Sequence, residues 1–333
     1  MSLSIEDRLY HVHLVNPMTN AAGGSEWRAL QLLREFSRIS QVTLWSEGTP
    51  HSHFVAMGCP ISLIRKDENH YPRGGIIIFV GVYFDIGDWI LQSEAHRLVV
   101  IYNTFSKYRF GDALTRLTPL GDEPLDLVFA SKAIARSVSL PGRIDWSPID
   151  IDRFCPSPKG KDFLRADFSV GRHSRDLLKK HNVNDVKIYR ALLKDGVRVR
   201  IMGGTCLIGT LRKTPTLDLL PACTIPADRF LRDLNIFLYR TSDEYLEPSG
   251  RVVTEAMASA LPVVAGHNGG YAELIDHGRN GFLFETDSEA ICIIRQLRKS
   301  GILRRRIGGA ARETTKTLFS DAVRRDFLEW CLR

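Results

Sequence analysis

The stretch Glu247-Pro-Ser-Gly-Arg-Val-Val-Thr-Glu255 carries two carboxylates eight positions apart, one on either side of an expected helix start. Pro248, Ser249 and Gly250 are residue types that open helices. Val252, Val253, Ala256, Met257 and Ala260 then supply one buried helix face, which ends before an apolar strand Leu261 to Ala265. The first amides of a helix lack intrahelical acceptors and lie at the positive end of its dipole. Amides near Gly250, Arg251 and Val252 therefore offer an anion site that needs no metal. Glu255 falls about five residues into this helix, ~7 Å along its axis at ~1.5 Å per residue. Carboxylates so far apart do not share a proton. They suit the two ends of one extended ligand, with sugar hydroxyls at Glu247, phosphates between, and ribose hydroxyls at Glu255.

A second candidate is Asn20-Ala-Ala-Gly23-Gly24-Ser25-Glu26, between a first strand and a helix whose Ala29, Leu30, Leu33 and Phe36 form an apolar face. Two glycines there let backbone approach a phosphate or a sugar. Taken alone, Arg172 reads as a surface ion pair and Glu255 as a solvated helix residue. Their ordered co-occurrence with the segment above favours function. His11, His13, His51, His53 and His70 show no metal-ligand spacing.

The elements that must position these groups alternate. Aliphatic runs at Val12 to Val15, Val42 to Trp45, Ile76 to Val80, Leu98 to Tyr102 and Leu127 to Ala130 are separated by segments long enough for crossover helices. Uninterrupted rather than alternating apolar strands indicate parallel sheets covered on both faces. After a turn-rich stretch Ile149 to Pro158 the rhythm restarts at Phe168 to Gly171, Val197 to Met202, Ile236 to Tyr239 and Pro262 to Ala265. The reading is α/β, with two Rossmann-like, doubly wound parallel-sheet domains facing a central cleft: 1–150, then 151–318. A terminal helix over 319–333 carries Val323, Phe327, Trp330 and Cys331 as an apolar stripe and packs back on the first domain.

At 333 residues the chain exceeds one ordinary core, and 44% hydrophobic with 25% charged residues excludes disordered and collagen-like classes. The longest apolar stretch, Gly74 to Phe84, stops at Asp85, well short of the ~20 residues that cross a bilayer. The start MSLSIEDRLYHVHLV lacks the features of an export leader, and the six cysteines are scattered without ligand spacing, so a cytoplasmic setting with reduced thiols is expected. The net charge of +7 is concentrated from Arg295 onward, where eleven Lys/Arg face four Asp/Glu. That distribution argues against a nucleic-acid groove. It fits a solvated helix face, or peripheral contact with an anionic membrane at the inner face. No G-x-G-x-x-G follows a strand, which disfavours a dinucleotide oxidoreductase.

The glutamate pair, followed by EAMASALPVVAGHNGGYAELIDHGRNGFLF, resembles the donor-binding half of retaining glycosyltransferases of carbohydrate-enzyme family 4, which have the GT-B fold. The resemblance implies a metal-independent enzyme, without a cofactor, that moves a hexose from a UDP- or GDP-sugar. Its acceptor would be a saccharide or a lipid-linked glycan in surface or exopolysaccharide synthesis. It implies Glu247 at the transferred sugar, Ser249, Gly250, Arg251 and Val252 at the diphosphate or sugar, and Glu255 at the ribose. Gly23 and Gly24 resemble the family's G-G-x-E loop. Arg172, with Lys180 or less favourably Lys179, resembles the pair that neutralises the diphosphate, though the family spaces that pair more closely. Gly203 would skirt the nucleotide and Ile225 would line its base. Asn103 stands where many relatives have a histidine, and cannot titrate near neutrality. Two alternatives follow: a nucleotide-sugar-binding subunit without turnover, and a GT-B nucleotide-sugar epimerase.

Overall fold

The computed structural model describes residues 11–83, 85–118, 125–156 and 168–333; residues 157–160 of the expected linker lie outside these. The chain forms two compact units, Met1–Pro148 with Asp321–Arg333, and Ile149–Ser320.

Unit 1 runs β1 (Val12–Val15), α1 (Gly24–Phe36), β2 (Val42–Ser46), α2 (Ser52–Ala56), β3 (Ile61–Leu63), β4 (Ile76–Val80), β5 (Arg97–Tyr102), α3 (Lys107–Leu117), β6 (Leu125–Phe129), α4 (Lys132–Val138) and β7 (Arg143–Ile144). The sheet order is β3-β2-β1-β4-β5-β6-β7, every pair parallel. Side chains alternate across a strand, and both faces here are covered. Ile76, Ile78 and Val80 join one core with Leu14, Leu30 and Phe36, while Ile77 and Phe79 join another with Val100, Tyr102 and Phe110.

Unit 2 runs β8 (Ser169–His173), α5 (Asp185–Lys194), β9 (Arg198–Met202), β10 (Leu217–Leu220), α6 (Ala227–Arg232), β11 (Ile236–Tyr239), α7 (Arg251–Ala258), β12 (Val263–Gly266), β13 (Phe282–Phe284), α8 (Asp287–Lys299) and α9 (Gly301–Leu318). Its order, β10-β9-β8-β11-β12-β13, is again all parallel. Each sheet thus reverses direction beside its first strand, at β1/β4 and at β8/β11. In open α/β sheets ligands bind beyond the carboxyl ends of strands at such a point.

The run pattern did not announce β3, β7 and β10. All three are edge strands. β10 alternates, with Asp218 paired to Arg198 and Arg200, so it lacks the continuous apolar signal of a central strand.

The chain ends in α10 (Asp321–Leu332), which belongs to unit 1. Its buried stripe is Arg324, Phe327, Leu328 and Cys331, and Val323 is 42% exposed, so the expected stripe is corrected by one position. An arginine takes the buried place because two acids wait for it. Arg324 lies 2.8 Å from Glu35 and 2.6 Å from Asp145, and Asp145 also holds the buried Arg28.

Much of the C-terminal basic stretch is engaged inside its own unit. Arg304 donates to the Leu297 and Arg298 carbonyls, Arg312 to those of Phe154 and Ala258, and Arg295 pairs with Asp195. Among the described residues no helix is long and apolar enough to cross a membrane.

Two predictions follow from these cores. Replacing Arg324 with Ala leaves two buried acids short of a cation and should lower unfolding free energy in urea by about 3–5 kcal/mol. An unchanged midpoint would contradict that. His13, which accepts from Trp45 Nε1 at 3.0 Å, is pushed down to about 3 by burial and then by His11. His181 is likewise pushed to about 3 by burial and then by Arg172. Both stay neutral in the fold while the unfolded imidazole titrates near 6.5. The unfolded chain therefore binds more protons between those values, so stability is greatest above pH ~6.5 and falls as pH drops. Urea midpoints measured from pH 7.5 to 5 should decline, and His13→Gln should flatten part of the slope.

Candidate functional site

The carboxyl ends of β8 and β11 bring together most of the groups singled out in unit 2. Glu247 lies eight residues beyond Tyr239, the last residue of β11, and is buried. Its Oε2 accepts from Lys180 Nζ at 2.7 Å and from Tyr239 Oη at 2.6 Å. Lys180, not Lys179, makes this contact. Lys180 also reaches Tyr245 Oη at 3.2 Å and lies 4.3 Å from the Tyr245 ring centroid. Burial pushes the Glu247 carboxyl up, but Lys180 and the bonds from Lys180 and Tyr239 outweigh it, so the group sits below its ordinary value and stays ionised. Burial raises Tyr239 well above its ordinary value, which keeps it a donor.

Behind Glu247 runs the turn Gly269-Gly270. Gly270 N donates to the Glu247 carbonyl at 2.8 Å, and a Cβ on Gly269 would meet Glu247 Cβ at 2.9 Å. Gly269 leaves room for the Tyr271 ring as well as for Glu247, since a Cβ there would also meet Tyr271 Cε1 at 2.4 Å.

Arg172 differs from its expected place. It has no exposed surface, and its guanidinium donates to the carbonyls of Arg240 and Lys180 while lying 4.4 Å from the Tyr239 ring centroid. It is packed beneath Lys180 and Tyr239 and holds them. Asp185 lies 3.8 Å from Arg172 and 2.6 Å from Arg240, which also pairs with Asp287. Burial raises the Asp185 carboxyl to about 6 against the pull of Arg240 and then Arg172. Gly203 also differs: its amide donates to Leu220 O, its carbonyl takes His181 Nε2, and a Cβ would strike Ser174 O at 2.0 Å. With φ +82°, it permits close packing of the loop after β8 instead of presenting free backbone.

Glu255 lies on α7, buried, with Arg251 Nε 2.9 Å from Oε1 and His173 Nε2 3.2 Å from Oε2. Burial pushes this carboxyl up, yet His173 and Arg251 bring it below its ordinary value. The turn before α6 lies beside it: Glu255 acts on the Cys223 thiol, which burial already raises, and the half-exposed Ile225 follows two residues later. The glutamates therefore flank the start of α7. Gly250 caps that helix at φ +70°, ψ +52°, without any side-chain cap bond, and half-buried Ser249 precedes it. First-turn amides such as those of Arg251 and Val252 are the groups a helix leaves to backbone acceptors or to a ligand. A Cβ on Gly250 would meet Tyr271 Cδ1 at 2.6 Å.

In unit 1, Asn103 follows β5, half-buried, beside Gly81, where a Cβ would lie 3.3 Å from the Asn103 amide oxygen and 3.6 Å from Ser25 Cβ. Gly23 caps α1, and the space next to it is filled by the Glu26 carboxylate, which Ser25 Oγ bonds at 2.8 Å; Gly24 faces open space. Sequence reasoning missed His173, Tyr239, Tyr245 and Gly81. Three of them end or directly follow strands that were recognised, at the positions where ligands meet open sheets. Among the described residues no three His, Cys, Asp or Glu gather to hold a metal ion.

The family model for glycosyl transferases group 1 matches residues 227–314. Over this segment, about a quarter of the chain, the sequence is similar to glycosyl transferases group 1. The group 1 segment spans α6 to α9 and so includes both glutamates and the α7 start. The chain is 28% identical over 160 residues to a GDP-mannose-dependent alpha-(1-6)-phosphatidylinositol monomannoside mannosyltransferase of Mycobacterium tuberculosis, covering 41% of each chain. It spans less than half the length of such curated relatives. It superposes on Anabaena HepE, solved with UDP-glucose, at TM-score 0.75 and 16% identity, over 97% of this chain and 99% of that one. It also superposes on WaaG, a glycosyltransferase involved in lipopolysaccharide biosynthesis, at TM-score 0.62 and 12% identity, over 96% and 99%. These likenesses show the fold, GT-B, with two parallel-sheet α/β units.

Gly250→Ala should cost more than the ~1–2 kcal/mol of a left-handed residue, because Tyr271 must also move. A thermal midpoint within 1 °C of the parent chain, a shift far smaller than ~1 kcal/mol would give, would show that the αL cap is not needed.

Proposed function

We propose that this chain is a retaining, metal-independent glycosyltransferase that moves a hexose from a UDP- or GDP-sugar to a saccharide or lipid-linked acceptor in the synthesis of a surface or extracellular glycan. The observation that carries the reading is the flanking of the α7 start by two buried, ionised carboxylates, one of them tied to Lys180. Unit 2 would hold the donor, with the diphosphate at the first amides of α7 and near Lys180, the hexose at Glu247 and the ribose at Glu255. The GDP-mannose dependence of one relative and the UDP-glucose bound to HepE support a nucleoside-diphosphate donor.

In the transfer, the bond from the anomeric carbon to the diphosphate oxygen breaks and a bond to the acceptor oxygen forms on the same face. The acceptor's proton passes to the departing oxygen. No titrating base is then required, which fits Asn103. Negative charge builds on the leaving group, and each preorganised donor there is worth ~3 kcal/mol, about a hundredfold in rate. Arg172 contributes indirectly, by fixing the Lys180 backbone and the Tyr239 ring. Positive charge from Lys180 and the helix start does the work that a divalent ion does in other transferases.

A thermal-shift panel of UDP, GDP, ADP and dTDP should show a clear rise for one nucleotide, since a ligand at a hundredfold excess over its Kd adds ~2.7 kcal/mol. With that nucleotide's sugars as donors, Glu247→Gln should reduce transfer by about a hundredfold or more, while EDTA leaves the parent rate unchanged. A flat panel, or full turnover by Glu247→Gln, would overturn the reading.

A further inference from the structure

We propose that Glu247 is an internal counter-ion for Lys180, which occupies the cation a diphosphate needs and so holds down the affinity of the site for a free nucleoside diphosphate. The inference rests on the placing of the diphosphate near Lys180 given above. The two charged ends lie 2.7 Å apart, with side-chain exposures of 8% and 11%, so water and salt screen them little and their charges cancel at close range. An ammonium has three hydrogens to give. Two of those on Lys180 are engaged, by Glu247 Oε2 and by Tyr245 Oη at 3.2 Å. Burial pushes both groups toward neutrality; each holds the other charged against it, and Arg175 in the loop after β8 adds to the pull on Glu247. The arginines nearest the pair and the α7 start have their own work, Arg172 on the Arg240 and Lys180 carbonyls and Arg251 on Glu255.

A diphosphate that reaches Lys180 meets a cation already matched. It either shares the ammonium with Glu247, which sets like charges against each other in a poorly hydrated place, or displaces the acid, which leaves a buried carboxylate with Tyr239 alone of its two donors. Both routes subtract from binding. A donor that still carries its sugar eases the exchange, because sugar hydroxyls donate to Glu247 as Lys180 turns to the phosphates. Once the sugar has left, Glu247 reclaims Lys180 and the diphosphate is expelled. The acid therefore weakens the hold on product more than the hold on donor, which keeps binding energy out of the product complex.

The experiment titrates the full-length chain and its variants with UDP or GDP, whichever the parent binds more tightly, by calorimetry. Glu247→Gln keeps the shape of the side chain and an acceptor for Tyr239 while removing the charge. It should bind the nucleotide about tenfold or more tightly than the parent, the scale on which one close charge acts on another. Glu255→Gln, which removes a charge at the other side of the α7 start, should give no such gain. Binding by Glu247→Gln within about twofold of the parent, or weaker, overturns the proposal, on the same scale of close charge pairs. So does an equal gain in Glu255→Gln, which would show an effect of net charge alone. Lys180→Gln, which keeps a donor and loses the charge, should weaken binding. If it binds like the parent, or if the parent binds neither nucleotide, the placing of the diphosphate near Lys180 is what fails.

Discussion

A carboxylate kept ionised beneath a protein surface has to be faced by donors, and in unit 2 this demand is made twice within nine residues. Glu247 is met by Lys180 and Tyr239, Glu255 by Arg251 and His173. The donors come from β8, the loop after it, β11 and α7, so satisfying two charges gathers the ends of two adjacent strands and one helix start. The sheet order places β8 next to β11, which is why residues some seventy positions apart in sequence can serve one acid. The geometry of the site and the topology of the sheet are in this sense one constraint.

A second layer of charge lies below the first. The buried Arg172, Asp185 and Arg240, with the half-buried Asp287, form a chain of alternating sign, with Arg172 touching both the Lys180 backbone and the Tyr239 ring. Buried ion pairs add little net stability once desolvation is counted, but removing one member is costly. Their effect here is to fix where Lys180 and Tyr239 stand.

The central strands were legible because each is a short run of β-branched or aliphatic residues with both faces covered: β1, β4 and β11 were read to the residue. The start of α7 was legible from Pro248 to Gly250, and the glutamate pair from its spacing. The edge strands were not, since a strand with one open side has no reason to be uniformly apolar. Arg172 was read as a group at the diphosphate, and its enclosure by the Arg240 and Lys180 carbonyls was not legible because sequence spacing gives a side chain's neighbours along the chain, not the carbonyls that surround it. His173 escaped notice because a histidine at a strand end carries no motif, and its meaning comes from Glu255, over eighty residues away. In α10, periodicity found the helix but chose Val323 over Arg324, because an apolar stripe is a poor guide where the core itself contains acids.

Unit 1 is built from the first part of the chain and from α10, with all of unit 2 inserted between them. During synthesis the ribosome therefore delivers every strand of unit 1 long before the helix that covers its Val12, Leu14, Ile76 and Ile78 face. Unit 2 is continuous and can close first. The earlier-made unit waits with part of that apolar face covered only by α1 and with Glu35 lacking its Arg324 partner, while Asp145 is already held by Arg28, so nascent unit 1 exposes the surface that chaperones recognise.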